Sequence, residues 1–299
     1  MDNKTPNFNR QKFILSFIKY AGGHLSKMDF QKLLFFYQKH TNNIYYDFIP
    51  YHYGCYSFQA SSDLEILRNQ NWISLNEKDI NLLKTPDKNI DKSINNLSEL
   101  IDFMNDNKNL RGDALIKIIY IHYPFYAMNS KISKSILNEF ELQNIENEKQ
   151  LYLSTLPLLF TIGYEGITFE GYINKLIQNN VRIICDVRNN PLSRKFGFSK
   201  SMLSSILPKI GINYIHIPEL GIISSKRKNI ENENDYKNLF DEYLKGLPKR
   251  KNFIEIVLGL YKKHIRLALT CFEKEPTHCH RYYLSHYIRN EYNIEVVDL

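Results

Sequence analysis

Beyond Leu156, short runs of Ile, Val and Leu alternate with amphipathic segments, and this alternation constrains the fold more than any other feature of the chain. The order is LLFTIG, an amphipathic stretch from Phe169 to Gln178, VRIICDVR, a stretch from Lys200 to Pro208, and INYIHIP. Two stretches from Asp235 to Lys262, IRLALTC, a stretch from Cys279 to Tyr292 and IEVVDL complete it. Strands that are apolar throughout are buried on both faces. Residues 156–299 are therefore expected to form an α/β domain, a mostly parallel Rossmann-like sheet covered by helices. Ligands of such sheets sit beyond the carboxyl ends of the strands.

The first half has a different grammar. Phe13, Ile14, Phe17 and Ile18, then Phe30, Leu33, Leu34 and Tyr37, recur at spacings of three and four, which predicts two amphipathic helices separated by Ala21-Gly22-Gly23. A Tyr-rich stretch with turns at Pro50 and Gly54 follows, then a helix through Leu64, Ile66 and Leu67, then a hairpin from Trp72 to Leu83. That order predicts a mainly helical, winged-helix-like domain over residues 1–150. Further helices are expected from Ile94 to Met104 and from Ala114 to Tyr120, and the charged run ENEKQ at 146–150 reads as a linker.

The formal charge of +7 favours an anionic partner such as nucleic acid, a nucleotide or phosphate. Four cysteines, Cys55, Cys185, Cys271 and Cys279, are too few and too unevenly placed for a secreted disulfide framework, so a reducing cytoplasm is expected. No run approaches the ~18 apolar residues of a membrane span, and the N-terminus has no apolar core of a signal peptide.

Four strand ends should crowd one rim: Gly163 to Gly166, Asp186 to Arg194, His216 to Gly221 and Cys271 to Arg281. Arg188, Arg194 and Arg281 could form a receptor for phosphate or carboxylate, since guanidinium donates in a fixed fork. Cys279 opens a predicted helix, where backbone amides favour an anion or a thiolate. Glu273 and Asp186 are the candidate acid and base, Cys271 the candidate nucleophile and His280 a candidate base. The C-x7-C-H spacing of Cys271, Cys279 and His280 matches no usual structural zinc site, and a fourth ligand would have to come from His216, His278 or Asp186. Neither metal nor cofactor is expected.

The segments TIGYEGITFEGYINKL, IICDVRNNPLSRKFGFSKSML, INYIHIPELG and LALTCFEKEPTHCHRYYLSHYI resemble, in order and spacing, the family called domain of unknown function 488, over roughly residues 158 to 297. Its signatures are D-V-R-x-x-P-x-S-R and C-x-E-x-x-P-x-x-C-H-R. The resemblance points to Gly163, Asp186, Arg188, Pro191, Ser193, Arg194, Leu220, Gly221, Cys271, Glu273, Cys279, His280 and Arg281. This chain has Ile222 where a second Gly is usual after Leu-Gly, and Phe272 where a small residue precedes the Glu. LSKMDFQKLLFFYQKH and YYDFIPYHYGCYSFQASSDLEIL are similar to the Panacea antitoxin-like and SocA-like domains, with Cys55 in place of the expected Pro. That resemblance implies toxin neutralisation, phage defence or DNA contact.

Together these features lead us to expect an enzyme directed at nucleic acid or a nucleotide, cleaving the glycosidic bond of a modified base in DNA in a defence context. Asp186 or Glu273 would supply the carboxylate, and Arg188, Ser193, Arg194, Cys279, Arg281 and Gly163 would hold the phosphate. A base in a duplex would be flipped out, with wedge candidates among Tyr51, Tyr53 and Tyr56. The alternatives are sulfur or phosphoryl transfer by Cys271 or Cys279, and a non-catalytic nucleotide sensor or antitoxin-like regulator. A protein partner would bind through the N-terminal domain.

Overall fold

A computed structural model of the chain describes residues 6–227 and 232–299. It divides into two compact units, the first ending at Leu151 and the second beginning at Tyr152. Among the described residues no helix is long and apolar enough to cross a membrane. All four cysteines are buried free thiols.

The first unit opens with helix α1 (Asn9–Tyr20), strand β1 (His24–Ser26) and helix α2 (Lys27–Thr41). A hairpin of β2 (Ile49–Tyr51) and β3 (Gly54–Tyr56) leads to α3 (Phe58–Asn69), and β4 (Ile73–Leu75) and β5 (Asp79–Leu82) follow. Strand β5 lies between β1 and β4 in an antiparallel sheet, so three helices followed by a hairpin make a winged-helix-like arrangement. Strand β1 was not anticipated. Three residues are too short a run to show alternation, and only the pairing with β5 defines it.

The stretch KMDFQKLL that opens α2 has a physical meaning here. Leu33 and Leu34 enter the core, while the polar pair before them turns the same way. Buried Gln31 brackets Ser57: its amide Nε2 donates to the Ser57 carbonyl at 3.1 Å, and its Oε1 accepts from the Ser57 N–H at 2.8 Å. Lys32 Nζ donates to the Cys55 carbonyl at 2.9 Å. Two consecutive side chains of α2 thus fasten the β3–α3 turn, and Ser57 in turn caps α3 by accepting from Ala60 N–H. Tyr51 and Tyr56 pack against Phe58, while Tyr53, in the turn of the hairpin, is exposed.

Helices α4 (Lys88–Lys92), α5 (Leu97–Asp106), α6 (Gly112–His122), α7 (Ser133–Ile136) and α8 (Glu139–Gln150) complete the unit. The run 146–150, expected as a linker, is the last turn and a half of α8. Asn138 and Glu141 form a capping box, Glu141 pairs with Lys117 at 3.2 Å, and Ile145 is buried. The charges that suggested a linker are the solvated face of this helix.

In the second unit β6 (Leu158–Gly163), α9 (Phe169–Gln178), β7 (Ile183–Asp186), α10 (Lys200–Ile206) and β8 (Asn213–His216) come first. Then come α11 (Glu233–Gly246), α12 (Lys251–His264), β9 (Arg266–Cys271), α13 (His280–Tyr292) and β10 (Val296–Asp298). The strand order is β10-β6-β9-β7-β8, and every neighbouring pair is parallel. Strand β9 is central and buried along its whole length. Its Leu267 and Leu269 share an apolar cluster with Ile254 and Val257 of α12 and Leu284 and Ile288 of α13. From β7 the chain moves to β8 at one edge; from β9 it moves to β10 at the other. Adjacent strands whose connections leave in opposite directions open a crevice at their carboxyl ends. That crevice lies between Asp186 and Cys271.

Replacing Gln31 by Ala should destabilise the first unit by about 2 kcal/mol, because it leaves both backbone groups of Ser57 without this partner in a buried place. Urea unfolding of the full chain, followed by hydrogen exchange of the α3 amides, checks it.

Candidate functional site

Asp186 ends β7 with no exposure to solvent, and all its acceptor capacity is taken. Oδ1 accepts from the Arg188 backbone N–H at 3.1 Å and from Arg188 Nε at 2.8 Å; Oδ2 accepts from Arg188 Nη2 at 2.5 Å and from the Tyr214 hydroxyl at 2.7 Å. Arg188 Nη1 donates onward to the Tyr164 hydroxyl at 2.7 Å and the Phe198 carbonyl at 2.8 Å. Burial alone would lower the Arg188 pKa, but the Asp186 carboxylate outweighs it and raises it. Tyr164 stacks on Phe198 with centroids 4.3 Å apart. One guanidinium therefore ties together the ends of β6 and β7 and the loop before α10.

Beyond β9 the chain reverses through Cys271 to Arg281. The Phe272 carbonyl accepts from the N–H groups of Tyr164 and Glu165, which brings the turn against the end of β6. Gly163 makes this possible: a Cβ there would lie 1.9 Å from the Glu273 carbonyl oxygen. Arg281, in the first turn of α13 and 1% exposed, donates to the Glu273 carbonyl at 2.5 Å, the Lys274 carbonyl at 3.2 Å and Thr161 Oγ1 at 3.3 Å. Gly163 and Arg281 are positioning residues; neither lines the crevice.

Inside the turn, four reactive groups meet. Cys271 Sγ lies 3.3 Å from Glu273 Oε2 and 3.6 Å from His280 Nδ1, and Cys279 Sγ lies 4.0 Å from the same nitrogen. The thiols and the imidazole fall within 4.8 Å of one another. His280 Nε2 donates to the Val187 carbonyl at 2.9 Å, which leaves Nδ1 as an acceptor, and Arg227 Nη2 donates to it at 2.9 Å. Arg227 Nη1 also pairs with Glu273 Oε1. Burial by itself would raise the Glu273 carboxyl, but the Arg227 guanidinium prevails and holds it below the usual carboxylate range. Burial pushes the Cys279 thiol well up, and the Cys271 sulfur beside it adds to the rise.

A cleft of ≈ 370 Å³ opens over this group. Cys271 and His280 line its floor; Arg194, Lys195, Arg227 and Ser193 are among the residues of its wall. Arg194 is exposed. Ser193 Oγ accepts from the Lys195 N–H at 3.1 Å and fixes the turn that carries both cations. Lys195 Nζ donates to the Tyr164 carbonyl at 2.7 Å, and burial lowers its pKa.

The structure thus brings Cys271, Glu273, Cys279 and His280 together and sets Arg194 and Ser193 on the cleft. It directs Asp186 and Arg281 inward, and Arg188, which reaches the cleft wall, commits most of its donors to Asp186, Tyr164 and Phe198. The three residues considered as a fourth metal ligand lie apart from the group: Asp186 is enclosed, His216 Nε2 meets the Arg188 carbonyl at 2.8 Å, and His278 stacks on Tyr236. Arg227 was missed. The basic run S-S-K-R after Gly221 marked it, but it lies beyond the strand-end loop, and only the packing of that segment over Glu273 gives it a role. Tyr214 was missed because a tyrosine on a strand is usually core.

The family described as domain of unknown function DUF488 matches residues 168–288, within the second unit. The match takes in Asp186, Arg188, Ser193, Arg194 and the whole turn from Cys271 to Arg281; Gly163 lies before it. Among curated proteins none matches the chain.

Replacing Asp186 by Ala leaves the Arg188 guanidinium buried without its counter-charge, and should destabilise the second unit by about 3–5 kcal/mol. Denaturant unfolding monitored in both units checks it, with the first unit unaffected.

Proposed function

We propose that the second unit is a hydrolytic enzyme acting on the base of a nucleotide or of DNA, and that the cleft between the ends of β7 and β9 is its substrate site. One observation carries this reading: the cations Arg194, Lys195 and Arg227 stand around a floor made by Cys271 and His280, beside the ionised Glu273. Guanidinium and ammonium groups at a cleft wall suit a phosphate, and a carboxylate beside its floor suits the activation of water or the stabilisation of positive charge on a sugar. Cleavage of a glycosidic bond assigns that work to Glu273 alone, since Asp186 has no acceptor position left.

The distribution of charge supports the same assignment. Residues up to 151 carry 18 Lys and Arg against 17 Asp and Glu, whereas the remainder carry 21 against 15. The excess that attracts an anion therefore belongs to the unit with the cleft. The nearly neutral winged-helix unit has little of the electrostatic footprint of a phosphate-backbone binder and suits a protein partner.

A second reading has its own observation. Cys271 Sγ lies 3.6 Å from His280 Nδ1, the unprotonated nitrogen, so an imidazole released from Arg227 Nη2 by a bound anion would accept the thiol proton for sulfur or phosphoryl transfer.

Incubation of the purified chain with modified and unmodified DNA and nucleotides, followed by mass spectrometry of released and altered bases, tests the proposal. Glu273→Gln is expected to lower turnover by about 10²–10⁴-fold with affinity nearly intact. Arg194→Ala should weaken nucleotide binding about tenfold, the worth of one charged hydrogen bond. Ligand binding without turnover would identify a sensor instead. Activity on phosphorylated or sulfur substrates that disappears in Cys271→Ser but persists in Glu273→Gln would favour the thiol reading.

A further inference from the structure

We infer that Cys271, Cys279 and His280 form a zinc site whose fourth coordination position opens on the cleft. The ligand set is complete in kind: two thiols and an imidazole nitrogen come from the end of β9 and the start of α13, two elements joined by a turn that Arg281 and Gly163 hold in place. The distances suit one small ion. Zinc bonds of ~2.3 Å to sulfur and ~2.0 Å to nitrogen at a tetrahedral angle separate the ligand atoms by about 3.5 Å. Here the two sulfur-to-Nδ1 separations are 3.6 and 4.0 Å.

The histidine is prepared for the task. Its Nε2 proton is donated to the Val187 carbonyl, which fixes the ring and turns the Nδ1 lone pair towards the thiols. A backbone carbonyl on the far nitrogen is the usual outer partner of a metal-bound histidine. The same space already holds a positive group, since Arg227 Nη2 meets Nδ1 at 2.9 Å and its other nitrogen pairs with Glu273. A metal ion would take over the imidazole from that guanidinium and leave Arg227 to Glu273 and the cleft.

Three protein ligands with an open position distinguish a catalytic zinc from a structural one. Both Cys271 and His280 line the cleft, so the open position faces the substrate site. His and two Cys, with a nearby Glu that is not a ligand, is the donor set of zinc enzymes that direct water at a nucleobase. The catalytic role of the ion rests on the hydrolytic reading above; the ligand geometry does not. The C-x7-C-H spacing argued against a metal because it matches no linear pattern. The strand, turn and helix supply the convergence that the spacing conceals.

The full chain, loaded with Zn²⁺ and desalted, should retain one ion per molecule by elemental analysis. With Co²⁺ it should show the intense near-ultraviolet absorption of thiolate ligation. Cys279→Ser and His280→Ala should each weaken binding at least tenfold, Cys55→Ser should leave it unchanged, and Arg227→Ala, which removes the competing cation, should tighten it. Sub-stoichiometric Zn²⁺ on folded wild-type and Arg227→Ala protein, or Co²⁺ bound without thiolate absorption, overturns the site. The two proposals fail separately: base hydrolysis without stoichiometric metal removes the zinc site alone, and stoichiometric metal without any base hydrolysis removes the hydrolytic reading alone.

Discussion

The carboxyl end of the parallel sheet depends on one buried ion pair. Asp186 finishes β7 where no water reaches it, and a carboxylate there is tolerable only because Arg188 grips both its oxygens and Tyr214 fills what remains. The guanidinium then reaches the Tyr164 hydroxyl after β6 and the Phe198 carbonyl before α10. Without that charge the loop from Val187 to Ser199 would lose its anchor. The cations Arg194 and Lys195 ride on this loop, and the Val187 carbonyl that orients His280 begins it. Charge satisfaction in the core thus sets the geometry of the cleft.

A second support comes from the other side of the crevice. Arg281 and Gly163 fold the turn after β9 back onto β6, the first by collecting two carbonyls and the second by making room for one of them. Two arginines of similar appearance in the sequence therefore act as internal braces. The cations that face solvent in the cleft are others. An arginine in a strand-end loop has five donors and a long stem, and whether they turn to a ligand or to nearby carbonyls depends on which carbonyls the packing leaves unpaired.

The elements themselves were legible because their patterns are long. The helix from Phe169 to Gln178 and the strand from Arg266 to Cys271 follow from periodicity and from uninterrupted burial. The short strand at His24 to Ser26 and the helical state of residues 146–150 were not, since the first exists through its partner and the second through a capping box whose signal lies eight residues upstream. The candidate site was legible as a neighbourhood. Cys271, Glu273, Cys279 and His280 stand together in the sequence, and the strand order set them beside Asp186 and Val187.

By itself the sequence determined the alternation of strands and helices, and with it a parallel sheet whose loops gather at one rim, because local periodicity and burial are properties of neighbouring residues. It also determined most of the reactive side chains that rim would hold, Cys271, Glu273, Cys279 and His280 among them, though not Arg227. The tertiary structure alone decided which way each one turns: Asp186 and Arg281 inward, Arg194 to the cleft, and the Nδ1 of His280 towards two thiols. Those choices depend on carbonyls and hydroxyls such as Val187, Phe198 and Tyr214, which carry no sequence signal and become partners only when distant strands are laid side by side. Arg227 is the clearest case, since it meets Glu273 across 46 residues of chain.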